Sequence, residues 1–407
     1  MSATRISVGT SHPPAADGSS LPRLALLASI VISFLAASAA PTPLYQHYNA
    51  VWHGTALTTT EAFGVYAVAV LLGLLVLGEL AMHVGRRPVL LAALALQVVA
   101  VALFATAGSY EPLFVGRVLQ GIAAGAALGT LGAAMIEAHQ AHGTVASSAA
   151  PSAGTGVGAL AAGLTVSYLP WPTHLIYVGL IVVFVLQAIG VLTMLAATPA
   201  SGDPRGLMAS LRPRLAVPVE ARRAFLAAAP AAFAVWALAG LYGSLGPALV
   251  HDMSPNSPTV LGGLTLFVLA AAGSVTTIVR RAHDGRHQMA TGMLAVALGV
   301  AGLAIAITTG SVSGFLVATV VAGAGFGSGL QGAVRTTVPL AEPHERAGLL
   351  AAVYLVSYAG LGVPAVVAGF VVSRGIDLTT VAIAYALGVI ALSLAAYSLL
   401  ARGRVTA

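Results

Sequence analysis

The chain is a succession of apolar stretches, each long enough to cross a lipid bilayer, joined by short breaks. Their approximate limits are 24–46, 60–80, 88–107, 112–136, 147–168, 174–196, 224–250, 259–279, 288–308, 312–334, 347–372 and 379–400. A helix needs about 20 apolar residues to span the hydrocarbon core. Inside that core every backbone N–H and C=O must be paired within the protein, and a helix does this within its own segment. Composition points the same way: 58% of the 407 residues are hydrophobic and 7% are charged, whereas soluble domains carry about 25% charged residues. Too few polar side chains exist to clothe a water-soluble globule. The expected fold is an all-α membrane protein with twelve transmembrane helices in two pseudo-symmetric six-helix bundles.

The arginines orient these helices. All 18 basic residues are arginine. With the amino terminus inside, sixteen of them fall in cytoplasmic segments: Arg5, Arg23, Arg86, Arg87, Arg205, Arg212, Arg214, Arg222, Arg223, Arg280, Arg281, Arg286, Arg335, Arg346, Arg402 and Arg404. Arg374 lies in an outer loop and Arg117 inside the fourth stretch. Basic loops stay on the cytoplasmic side, so a multi-pass protein of the cell (inner) membrane with both termini cytoplasmic is expected. The net charge of +6 is then mostly a topology signal, and no nucleic-acid partner is read from it. Cysteine is absent, which excludes disulfides, thiolate metal sites and thiol nucleophiles. No P-loop, zinc signature or catalytic nucleophile arrangement occurs, and His283 and His287 flank a loop without a convincing ligand set. Neither an enzyme, a cofactor nor a metal is expected.

Residues 1–22, rich in Ser, Ala, Gly and Pro, read as a disordered cytoplasmic tail. Six-helix bundles are expected at 23–197 and 223–402, separated by a cytoplasmic linker at 198–222. The run Ala36-Ala-Ser-Ala-Ala40 imitates a signal-peptide cleavage site. The alternative is a retained first helix, preferred because Pro43 near its end has a counterpart in Pro247 near the end of the seventh. A stronger echo joins the fifth and eleventh stretches. Gly154-Thr-Gly-Val-Gly-Ala-Leu-Ala-Ala-Gly163 returns 206 positions later as Gly360-Leu-Gly362-Val-Pro364-Ala-Val-Val-Ala-Gly369, with six of ten positions identical. Gly85-Arg86 likewise returns as Gly285-Arg286 in the equivalent loop. Duplicated six-helix units place a binding cavity between the halves near the midplane.

The tightest break in the first third is Gly78-Glu-Leu-Ala-Met82-His-Val-Gly85-Arg86-Arg87. Its pattern G-x-L-x-x-x-x-G-R-R resembles the loop between helices 2 and 3 of major facilitator superfamily transporters, with Met82 where the family usually has an acid. The fourth stretch carries Arg117-Val-Leu-Gln120-Gly121, continuing to Gly125, which is similar to the family's R-x-x-Q-G motif. The glycine-rich run containing Gly154, Gly158 and Gly163 resembles the motif of the antiporter subset, departing from it at Ala159, where proline is usual. Pro41-Thr-Pro43 resembles the proline pair of twelve-helix drug exporters. The resemblance extends over residues 23–402. It implies a transporter, and its antiporter features imply proton-coupled export.

Arg117 is the leading functional candidate. A charge within a transmembrane helix costs about 2.5–3.5 kcal/mol on insertion scales, so it should face a cavity or a partner; the bland alternative is snorkelling to the headgroups. The resemblance implies a role in proton coupling. Gln120, one turn on, shares its face or serves as glue between helices. Glu61, in the same half of the membrane, is the candidate proton carrier through a pair with Arg117, against a solvated helix-start residue that suits the dipole. Tyr45, Trp236, Tyr242 and Tyr358 are candidates to line a substrate pathway, although most such aromatics pack or anchor. Arg86 and Arg87, with Gly78 and Gly85, form a candidate gating loop that pairs with acids across the half-interface or simply sets orientation. Gly121, Gly125, Gly154, Gly158, Gly163, Gly362 and Gly369 are expected at close helix contacts, and Pro364 is expected to bend its helix.

These residues lead to a secondary transporter working by alternating access, with proton-coupled export of small lipophilic compounds as the first reading. A facilitator or importer of a small metabolite is the second, because no carboxylate sits at midplane in the first stretch or in the carboxyl-terminal core. A non-transporting receptor is the third. The expected partners are a small-molecule substrate, protons and the lipid bilayer, and the expected state is a monomer.

Overall fold

The structure is a computed structural model and describes residues 20–196, 208, 210–212, 215–342 and 345–402. Among these, twelve long helices carry the fold and no strand occurs. They are α1 Ser20–Ala39, α2 Ala56–Leu77, α3 Arg86–Ala105, α4 Tyr110–Ala138, α5 Gln140–Tyr168, α6 Leu175–Met194, α7 Arg222–Ser244, α8 Val260–Val279, α9 Gly285–Thr308, α10 Val312–Thr337, α11 Arg346–Ser373 and α12 Leu378–Arg402. Eleven of them are long and apolar enough to cross a membrane. The twelfth, α5, has the length at 29 residues. Its first two turns are polar, which is why it begins seven residues before the expected 147–168; the His139 imidazole caps it by accepting His142 N–H at 3.3 Å.

Two expected helices are broken, at matching places. The 24–46 stretch ends as a helix at Ala39, makes a short turn over Thr42–Leu44 and resumes as Tyr45–Trp52. Pro41 and Pro43 have no N–H to give to the carbonyls of Ala37 and Ala39, so the helical ladder cannot pass. The chain turns on Pro41 instead, whose carbonyl accepts both Leu44 and Tyr45 N–H at 3.0 Å. The 224–250 stretch likewise breaks at Leu245, and Pro247 opens the following helix Gly246–Met253. Pro364, by contrast, lies inside an uninterrupted α11. Helix begins at Ser20, three residues inside the expected disordered tail, the rest of which lies outside the described residues. Much of the expected 198–222 linker also lies outside them. Its end docks on α11, where Ala216 N–H donates to Gly348 O at 3.4 Å and Ala221 packs with Leu349.

Two buried cores define the halves. One gathers Phe34, Leu90, Phe104, Leu113, Tyr177 and Phe184; the other gathers Val235, Tyr242, Leu266, Met293, Phe315 and Ala386. Each borrows from the opposite half: Tyr358, Leu361 and Ala365 join the first core, and Ala39 and Ala159 join the second. The crossings that permit this are α2 on α11 and α5 on α8. Small residues make them close. Gly163 faces Val260 and Gly263, Gly362 faces Gly64 and Ala67, and Gly369 lies against Thr60. Within the first half, Gly154 and Gly158 lie on the backbone of Ile32 and Ala36, while Gly121 and Gly125 lie on the α2 backbone. Lipid tails offer apolar side chains as good an environment as a neighbouring helix, so such backbone proximity, with its dispersion contacts, holds membrane helices together.

Candidate functional site

The broken end of α1 makes the first part of the site. Its last carbonyls have no intrahelical donors and carry the negative end of the helix dipole. Arg117, on α4, reaches one of them: its Nη1 donates to Ser38 O at 2.7 Å. The same nitrogen donates to Gln120 Oε1 at 2.8 Å. Nε and Nη2 both donate to the Tyr45 hydroxyl, at 3.2 and 2.6 Å. The guanidinium also faces the rings of Tyr66, Tyr45 and Phe104 at 5.3, 5.8 and 5.8 Å, inside the range where a cation is attracted to a π face. Arg117 is 0% exposed. It does not snorkel; carbonyl, hydroxyl and ring dipoles replace its water.

Glu61 is not among these partners. Its side chain is exposed, and the pair with Arg117 that the sequence allowed is not formed. Arg117 spends its donors on Ser38 O, Tyr45 and Gln120. None of the described carboxylates is buried; Glu79 and Glu345 are half-buried and the others exposed. Among the described residues no group of three or more His, Cys, Asp or Glu could hold a metal ion.

The expected aromatic lining divides. Tyr45 is committed to Arg117. Tyr242 belongs to the second core, its hydroxyl bonded to Thr319 Oγ1 at 2.7 Å and its ring set edge-on to Phe315 at 5.7 Å, so it does not face the seam. Trp236 and Tyr358 do meet there, with ring centroids 5.0 Å apart. Trp236 packs against both cores. Its indole nitrogen, Ser357 Oγ and Gln331 Oε1 are buried without a partner. Sequence reading missed Ser357 and Gln331, since a serine beside tyrosine and a glutamine after glycines carry no pattern.

The basic loop is latched within its own half. Arg86 Nη1 and Nη2 donate to the two Glu137 oxygens at 2.5 and 2.6 Å, joining the start of α3 to the end of α4. The expected alternative, pairing across the half-interface, is not what Arg86 does. Met82 is 68% exposed, and Gly85 has φ of 91°, a conformation that suits glycine. In the second half Arg286, the counterpart of Arg86, donates to Leu400 O at 2.9 Å, and Arg335 donates to Arg281 O at 2.6 Å, carbonyls replacing the carboxylate. The halves themselves are joined at the arginine-poor end by neutral groups. Thr42 Oγ1 donates to Gly243 O at 3.2 Å, Gln46 Nε2 to Pro247 O at 2.9 Å, and Val260 N to Ser167 Oγ at 2.9 Å. Towards the arginine-rich end the corresponding link is the longer Ser274 Oγ to Ala149 O, 3.4 Å.

A two-half helical bundle with small-residue seams and a buried arginine at a broken helix defines a polytopic membrane transporter, not an enzyme. The sequence profile of the Major Facilitator Superfamily matches residues 24–366, and the chain belongs to that family. Among solved structures, a crystal structure of a point mutant of the nucleoside transporter NupG is similar, with a TM-score of 0.67 and 15% identity over 93% of this chain and 99% of that one. At that identity the likeness is one of fold. Comparison with curated proteins finds no match.

Proposed function

We propose that this protein exports small, rather lipophilic organic compounds by alternating access, with protons moving inward in exchange. The observation that carries this reading is the seam. Among the described residues the halves touch through small residues, apolar side chains and neutral hydrogen bonds, and the Arg86–Glu137 ion pair lies within one half. Contacts of that kind are broken and remade at low cost, as rocking about a central site requires. The arginine-rich end is cytoplasmic on this reading, which makes the described conformation the one closed to the outside. The antiporter-like glycines of α5 lie at its crossings with α1 and α8, and Glu61 is exposed near the start of α2. Its protonation is the proposed link to the gradient, and Arg117 is the fixed charge that holds the end of α1 in register.

A second reading is favoured by one observation: no described carboxylate is buried. A facilitator of an uncharged metabolite needs none, and the nucleoside transporter with the same fold makes a nucleoside a reasonable member of the test set. The experiment is uptake into proteoliposomes of a lipophilic panel together with uridine, with and without an imposed pH gradient. Gradient-driven accumulation that Glu61→Gln abolishes, with exchange retained, supports the antiporter. Downhill movement that ignores the gradient selects the facilitator.

A further inference from the structure

Phe233, Trp236 and Gly240 recur at helical spacing on one face of α7, and Ser357, Gly360 and Leu361 on one face of α11. These faces meet: Gly360 lies on the Phe233 backbone and Gly240 on the Leu361 carbonyl. Trp236 and Ser357 therefore enter the same crossing, beside the Tyr358 ring, which is tilted 43° to the indole. Both arrive with polar atoms buried and unpartnered, Trp236 Nε1 and Ser357 Oγ. Ser357 is 0% exposed and does not bond back to its own helix, as serines elsewhere in the chain do, Ser393 Oγ to Val389 O at 2.8 Å for example. Burying an unsatisfied donor is costly, and two at one crossing point to a guest that completes them.

We propose that Trp236 and Ser357 form a substrate-recognition pair for an uncharged, planar compound bearing a carbonyl or amide group. The assignment rests on the transporter reading and names its substrate class. The indole N–H supplies a donor only and the serine hydroxyl either role, so a carbonyl oxygen accepts from the indole. The flat faces of Trp236 and Tyr358 favour a ring. Charge selects against ions. No described carboxylate is buried to neutralise a cation, and four of the five N–H donors of Arg117, the one buried arginine among the described residues, are already engaged by Tyr45, Ser38 O and Gln120.

The test uses the full chain with Trp52→Phe and Trp171→Phe, which leaves Trp236 as the sole tryptophan of three. Its emission is titrated with benzamide, benzoate and benzylammonium, which share a ring and differ in charge. Benzamide is expected to quench, and the two ions are not. Ser357→Ala should weaken benzamide binding about tenfold, the worth of one hydrogen bond, while thermal stability stays level or rises because an unsatisfied hydroxyl has gone. Equal or tighter binding of either ion, no response to benzamide, or an affinity unchanged by Ser357→Ala overturns the pair. Uptake of the lipophilic panel into proteoliposomes is measured on the same preparation. Uptake of any member with this binding absent rejects the pair and leaves the transporter reading standing, whereas no uptake of anything rejects that reading.

Discussion

Arg117 holds its place through four donor contacts to neutral groups, and that number sets what its replacement does. Arg117→Lys keeps the charge, but an ammonium cannot reproduce the guanidinium fork that holds Ser38 O, Gln120 and Tyr45 together. Tyr45→Phe removes two of the four bonds at almost constant volume and strands Nε and Nη2 in the interior, at a cost of about 1–3 kcal/mol. A fall in the thermal midpoint of the detergent-solubilised protein, with transport reduced in parallel, is the expected outcome for both. An unchanged midpoint would mean the hydroxyl does not support the arginine. The sequence revealed Arg117 as a buried charge and Gln120 as its helical neighbour. It did not reveal the other partners, because one is a backbone carbonyl at the broken end of another helix, and carbonyls leave no trace in sequence. For the same reason the sequence turned to Glu61, the nearest visible anion, when the cation is held without one.

Among the helices, glycine positions divide by what lies opposite. A methyl on Gly158 would collide with the Ala36 backbone, whereas one on Gly132 meets nothing. Gly158→Ala should lower stability by about 1–3 kcal/mol, the usual cost of overpacking. Gly132→Ala should raise it by up to about 1 kcal/mol through helix propensity. Thermal melts of the two variants check the contrast, and equal effects would show that α1 and α5 are not in close contact. Glu137→Gln tests the latch at the other end of the first half. Both partners are substantially exposed, 39% and 59%, so the pair is worth at most about 1 kcal/mol, and near-constant stability is expected. Helix positions were legible from hydropathy to within a few residues except where polar turns or prolines intervened. The start of α5 and the breaks in α1 and α7 are decided by capping and missing donors, not by apolarity.

The whole molecule is two halves whose relation the arginines and the α5–α11 repeat already suggested. The repeat marks the helices that cross between halves: α5 meets α8, and α11 meets α2. What the sequence could not carry is which end is closed, since Gln46 and Pro247 lie 201 residues apart and bond through a backbone carbonyl. The absence of native cysteine makes that closure directly testable. With Gln46→Cys and Pro247→Cys in the otherwise unaltered chain, oxidation should tie the arginine-poor ends of α1 and α7 together, and transport should be measured in proteoliposomes before oxidation, after it, and again after reduction. An alternating-access carrier is expected to stop when cross-linked and to recover when the bond is reduced. Full transport by completely cross-linked protein would contradict it.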